Sequence, residues 1–176
     1  MSARPMTNQN LADVIIDDLE QCAFSALQQQ TVSAVLVALG SNYAADKHLP
    51  FIRHRLQALG DIKLSTAFQN PDFTATTEQP KPDYTNQCVY LQLNKVVVLS
   101  DLQLLFRTLE TECGRVRLTE VKPSLRLVTM DIDILLIKTA WHKNSLSRLN
   151  ESQWVVVTDR YPFKAHEMAG IDELMN

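Results

Sequence analysis

Two aliphatic runs restrict the fold more than anything else in the chain: residues 31–39 (Thr-Val-Ser-Ala-Val-Leu-Val-Ala-Leu) and residues 130–137 (Met-Asp-Ile-Asp-Ile-Leu-Leu-Ile). Apolar runs of this length, closed by turn residues, read as buried strands. The second run carries Asp131 and Asp133 at its head. Strand geometry puts residues i and i+2 on one face, so the two carboxylates stand roughly 6.5–7 Å apart at their Cα atoms. Acids held that close to an apolar core repel, and one takes up a proton unless a cation lies between them. Magnesium meets that demand, because it uses few protein carboxylates and completes its shell with water and phosphate oxygens. The plain alternative is a pair of solvated acids at a strand end, paired with arginines.

Around these runs the remaining elements fall into place. After the first strand, Gly40-Ser41-Asn42 ends the run, and a helix is expected over residues 46–59, stopped by Gly60. A second strand is expected over 62–68. Residues 70–83 hold Pro71, Pro80 and Pro82 in a threonine-rich stretch and read as a long exposed loop. Residues 86–93 alternate as a strand does, and Ser100-Asp101 caps a helix that runs to Cys113 and stops at Gly114. Residues 154–157 form a last short strand before a terminal turn of helix. Strand-helix-strand thus occurs twice, which gives an α+β, ferredoxin-like sandwich with a mostly antiparallel sheet. At the N-terminus, apolar positions in 11–27 follow helical spacing, so an extra amphipathic helix is expected within a separate extension, residues 1–30, ahead of the main domain, residues 31–176.

Composition narrows the function classes. The chain has 176 residues, 45% of them hydrophobic, and a formal net charge of −3, with a pI near 5.8 and mean hydropathy of −0.11. That is a globular composition without the basic surplus of a nucleic-acid binder. No run is long enough to span a membrane, and the first residues lack the apolar segment of a secretory signal, so a cytoplasmic protein is expected. Cys22, Cys88 and Cys113 match no metal spacing and read as reduced thiols. His48, His54, His142 and His166 show no ligand spacing and are assigned to the surface.

Three further groups bear on chemistry. Gly114-Arg115-Val116-Arg117, with Lys122 and Arg126, forms a basic loop directly upstream of the acid pair. Arginine forks match phosphate oxygens, and phosphoryl transfer needs a metal and cations around one group. Asp83-Tyr84-Thr85-Asn86 offers an aromatic ring and an amide able to stack on and hydrogen-bond a flat heterocycle. The segment Gly40-Ser41-Asn42 lies outside any Walker or dinucleotide glycine pattern and reads as a turn.

Taken in order, ALGSN (38–42), DYTN (83–86), LETECGRVR (109–117) and MDIDILLI (130–137) resemble the 6-hydroxymethyl-7,8-dihydropterin pyrophosphokinases of folate biosynthesis. Each motif is common by itself; their sequence and spacing in one chain are specific, and the similarity covers residues 32–137. The resemblance implies a ferredoxin-like fold and transfer of pyrophosphate from ATP to the hydroxymethyl group of the pterin, with two Mg²⁺ ions. It implies Asp131 and Asp133 as metal ligands. It places Asn86, Tyr84, Asn70, Pro71 and Phe73 around the pterin, Glu110, Arg115, Arg117 and Ile134 around the nucleotide, and Arg115, Arg117 and Arg126 in catalysis. ATP and the pterin are the expected partners, with neither nucleic acid nor membrane.

The chain departs from the family pattern in places. Phe68-Gln69-Asn70-Pro71-Asp72 stands where Tyr-x-Thr-x-Pro is usual. Residues 122–129 lack the tryptophan and one arginine usual before the acid pair, and Arg160-Tyr161-Pro162 is the only trace of the later Pro-His-Pro-Arg signature. Two functions follow from these features: an active pyrophosphokinase, or a family member that serves as a pterin- or nucleotide-binding or assembly module.

Overall fold

The computed structural model describes residues 11–72, 75–78, 80–116, 127–140 and 152–176. In chain order the elements are 3₁₀ turns at Leu11–Asp13 and Ile16–Asp18, β1 (Glu20–Cys22), a single turn α1 (Phe24–Leu27), β2 (Thr31–Ser41), α2 (Ala45–Gln57), β3 (Gly60–Leu64), β4 (Phe68–Asn70), β5 (Tyr84–Val98), α3 (Leu99–Glu112), β6 (Asp131–Thr139), β7 (Trp154–Val157), a third 3₁₀ turn at Thr158–Arg160, and α4 (Ala165–Met175). The sheet runs β1-β7-β6-β2-β5-β3, with β4 also paired to β5. The central order β6-β2-β5-β3, joined by α2 and α3, is the split β-α-β arrangement of the ferredoxin-like fold. All pairings are antiparallel except β1 with β7.

The aliphatic strands β2 and β6 lie side by side at the centre, where apolar residues on both faces can be buried. Leu49, Ile52 and Leu56 of α2 and Leu102, Phe106 and Leu109 of α3 pack with Val35, Val37, Ile132 and Ile134 on one face. On the other face Ile171 and Leu174 of α4 join Ala34, Leu36, Ala38, Leu136 and Trp154. A register shift in β6, where Leu36 pairs Leu136 but Val37 pairs Ile134, puts Leu135 and Leu136 in the same cluster. Asp131 and Asp133 fall on the α4 side of the sheet, beyond the region that α4 covers.

Residues 11–27 do not form one helix, contrary to the periodicity. Val14 and Ile16 are buried while Ile15 between them is 65% exposed, which is the alternation of extended chain. Two tertiary contacts override the helical spacing. Val14 and Ile16 pack into the α4 cluster, and residues 20–22 pair with the otherwise open edge of β7. Smaller differences follow from packing as well. The expected 62–68 strand is two strands, β3 and β4, β5 extends to Val98, and the terminal helix has three turns because its apolar face closes the sheet. His48 is buried and His166 half-buried rather than on the surface; His142 lies outside the described residues. The cysteines are unpaired, as expected.

Gly170 brings α4 close to the sheet: a Cβ there would stand 2.6 Å from the Cys88 sulfur and 2.8 Å from its Cβ. Gly170→Ala adds a better helix former but forces the helix outward. We expect a net loss of about 1–2 kcal/mol in urea unfolding. A stabilised variant would contradict this packing.

Candidate active site

A cleft of about 320 Å³ opens at the end of the sheet where β2, β5 and β6 meet the start of α4. Its floor is kept low by two small residues of β2. Ala38 pairs with Cys88 on one side and Asp133 on the other, and Gly40 pairs with Asn86 and Asp131. A Cβ at Gly40 would come within 3.1 Å of the Asn86 Oδ1, so the glycine leaves the amide room to face the cleft. Asn86, Gly40 and Asp131 therefore form one row across three strands. At the usual strand spacing, Asn86 and Asp131 are roughly 10 Å apart at their Cα atoms. Asn70 pairs opposite Tyr84 and closes the Asn86 side together with Pro71. The Asn70 Nδ2 is buried with no acceptor among the described residues. A buried amide donor without a protein partner is costly unless something else satisfies it.

The acid side has its own supports. Glu110, buried on α3, accepts the Ile132 N–H at 2.8 Å and so pins the strand between the two aspartates. Asn42 accepts the Val128 N–H at 2.6 Å, and its own N–H donates to Val128 O at 3.0 Å. Gly40 and Ser41, expected in a turn, continue β2 because they pair with β5, and Asn42 just beyond fixes the approach to β6. Gly114, at φ +79°, closes α3 by a Schellman motif: Gly114 N–H donates to Thr111 O and Arg115 N–H to Glu110 O. That turn delivers the Arg115 guanidinium to 3.9 Å from Asp131. From the opposite side, Arg160 lies 2.8 Å from Asp133 and 3.2 Å from the buried Glu167.

Arg160 offsets only part of what acts on Asp133. Burial, and next the neighbouring Asp131, push the Asp133 carboxyl up from its ordinary 3.8 to about 7; Arg160 pulls it down, while Glu167 and Glu110 raise it. Burial pushes the His166 imidazole down, so it is uncharged at neutral pH. Burial also drives the Cys88 thiol up to about 12, which makes it inert.

Of the residues singled out in the sequence, Asn70, Pro71, Tyr84, Asn86, Asp131 and Asp133 line the same cleft. Arg115 approaches it through Asp131. Glu110 and Ile134 do not line it: Glu110 braces the β6 backbone, and Ile134 faces the α2–α3 core by strand alternation. Phe73, Arg117 and Arg126 lie outside the described residues. Asp72, within the stretch 70–73 that the resemblance puts beside the pterin, and Arg160 of Arg-Tyr-Pro also line the cleft. Sequence reading missed Lys81, Lys164, His166 and Glu167, which line it as well. These become neighbours through the placement of α4 and of the loop after β4.

The match to the 7,8-dihydro-6-hydroxymethylpterin-pyrophosphokinase (HPPK) family spans residues 36–159. The chain belongs to the HPPK family. No curated protein matches it. The HPPK match covers the central strands, the cleft floor and both aspartates, and stops one residue short of Arg160; the N-terminal arm and α4 lie outside it. HPPK proteins are ATP-dependent pyrophosphokinases of folate biosynthesis and use Mg²⁺. The cleft fits such an ion. No cluster of three or more His, Cys, Asp or Glu side chains able to hold a metal occurs among the described residues. Two hard carboxylates on one strand face, one of them with its pKa raised to about 7, nevertheless suit a cation whose remaining ligands are water and phosphate. Among the described residues, no helix is long and apolar enough to cross a membrane.

The raised Asp133 pKa sets a pH dependence for the metal-free protein. A folded-state pKa above the unfolded value gives stability that is full below about pH 4 and lost as pH rises through about 7. Asp133→Asn removes that loss, so its advantage over wild type should grow between about pH 4 and pH 8, reaching roughly 3–6 °C in Tm. A difference that stays constant with pH would contradict the charge strain.

Proposed function

We propose that this chain transfers the pyrophosphoryl group of ATP to the hydroxymethyl oxygen of 6-hydroxymethyl-7,8-dihydropterin, with Mg²⁺ at Asp131 and Asp133, two ions as the family resemblance implies. The observation that carries the proposal is the row Asn86–Gly40–Asp131, with the unpartnered Asn70 amide at one end and the acid pair at the other. One side of the cleft offers amide groups and the Tyr84 ring to a flat, hydrogen-bonding heterocycle. The other offers anions that need a cation. Roughly 10 Å separates them, which suits a bicyclic ring whose hydroxymethyl arm reaches a metal-bound polyphosphate.

In this reading Asn70 and Asn86 hold the pterin edge and Tyr84 and Pro71 cover its faces; the family resemblance adds Phe73 as a further pterin contact. The pterin hydroxyl oxygen attacks the β-phosphorus, the bond from that phosphorus to the α,β-bridging oxygen breaks, and AMP leaves with the electron pair. The hydroxyl proton passes to solvent. Bound magnesium would neutralise phosphate charge and orient the β-phosphorus. With the aspartates engaged by a metal, Arg115 and Arg160 would be free to turn from them toward phosphate oxygens. By the family resemblance, Arg117 and Arg126 would be further cations for the triphosphate and would help exclude water. Transfer of this kind rests on alignment and charge neutralisation more than on a protein base. Glu110 acts through β6, by holding Ile132 and thereby the spacing of the two acids. The free thiols fit a reducing, cytoplasmic setting.

The test is AMP release from ATP, Mg²⁺ and 6-hydroxymethyl-7,8-dihydropterin. Wild type should release AMP only with the pterin present, and Asp131→Asn or Asp133→Asn should lower kcat by about 10²-fold or more. Asn86→Ala should raise the pterin KM about tenfold. Pterin binding by wild type without AMP release would overturn the enzyme and favour the binding or assembly module.

A further inference from the structure

The N-terminal arm lies outside the family match, yet it is built against the segment that carries Arg160. β1 pairs in parallel with β7, Glu20 opposite Val155, Gln21 opposite Val156 and Cys22 opposite Val157. Continued by two residues, that register sets Phe24 opposite Asp159. At that point the ladder is completed by a side chain: Phe24 N–H donates to the Asp159 Oδ1 at 3.3 Å. At the other end, Gln153 Nε2 donates to the Glu20 Oε2 at 3.0 Å, so β7 is held at both ends by the arm. The arm's Val14 and Ile16 are buried with Phe163, Ile171 and Leu174, so it also grips α4 and the turn leading into it. Arg160 sits between these gripped elements, and its guanidinium spans Asp133 on β6 and Glu167 on α4.

We propose that the arm is a clasp that positions Arg160, acting through the Phe24–Asp159 contact; this rests on the reading of the cleft as a pyrophosphokinase site. β7 has only four residues, Trp154–Val157, and would otherwise be an open edge strand followed by a short 3₁₀ turn. Edge strands and short turns are the elements that open at least cost. An arginine hung from such a segment would lose its aim, and small misplacement of a phosphate-binding cation lowers the rate of transfer steeply. Asp159 is exposed and outside the cleft, so it is a positioning residue and makes no contact with substrate.

The experiment compares the full chain as wild type, Asp159→Ala, Asp159→Asn, Arg160→Ala and the Asp159→Ala/Arg160→Ala double variant. Each is assayed for AMP release and by NMR of the ¹⁵N-labelled Arg160 guanidinium. In Asp159→Ala, kcat should fall about fivefold with the pterin KM unchanged, and Asp159→Asn, which keeps an acceptor oxygen, should recover most of the rate. In the Arg160→Ala background, Asp159→Ala should change nothing further. The Arg160 guanidinium signal, which the Nη2 contacts to Asp133 and Glu167 should keep slow to exchange in wild type, should broaden in Asp159→Ala. Equal rate losses in both backgrounds, no loss in either, or an Arg160 signal untouched by Asp159→Ala would overturn the clasp. If wild type itself releases no AMP, the pyrophosphokinase reading fails, and the guanidinium spectrum still decides whether the arm holds Arg160.

Discussion

The cleft depends on one electrostatic constraint: two carboxylates on a single face of a strand whose other residues are buried. Burial and like charge together hold Asp133 near neutrality in pKa, so an ordinary acid becomes a site that wants a cation. Arg160 relieves that strain only in part. Asp131 and Asp133 are half-buried rather than sealed, so under the proposed function a hydrated ion would replace the arginines there. The arginines would then be available to a phosphate chain. Metal binding and anion binding would thus draw on the same set of charges.

Nearly every nearby feature of the fold holds these charges in place. Glu110 fixes the amide between the aspartates, Asn42 fixes the residues leading into β6, and the left-handed Gly114 turns Arg115 back toward Asp131. Across the sheet, Gly40 and Ala38 keep the floor clear between the acids and Asn86. These supports come from β2, α3 and the residues that end them, in the enclosed centre of the ferredoxin-like core. Arg160 comes from the less enclosed half, where β7 is short and the N-terminal arm supplies the missing edge.

The sequence carried the central strands, the two long helices and the acid pair, because each is written in local pattern: an aliphatic run, a helical repeat with a stop at glycine, or an i, i+2 pair. Tyr84 and Asn86 were marked by motif order and Asn70 only by its position after the second expected strand, and the structure pairs Asn70 with Tyr84 on adjacent strands beside Asn86. The N-terminal helix was misread because its spacing admits either period, and the choice is made by the open edge of β7, far away in the chain. Arg160 and Glu167 meet Asp133 only once α4 is docked, so no local pattern announces them. Glu110 shows the reverse case: the motif marked the residue, but its hydrogen bond to a backbone N–H could be seen only in the folded chain.

The most direct test of this account is a crystal structure with Mn²⁺ and a non-hydrolysable ATP analogue, read by anomalous scattering. The account predicts a metal peak in coordination range of carboxylate oxygens from both Asp131 and Asp133, with the triphosphate completing its shell and Arg160 moved off Asp133. A nucleotide bound with the two side chains turned apart, or a metal peak that touches neither, would contradict it.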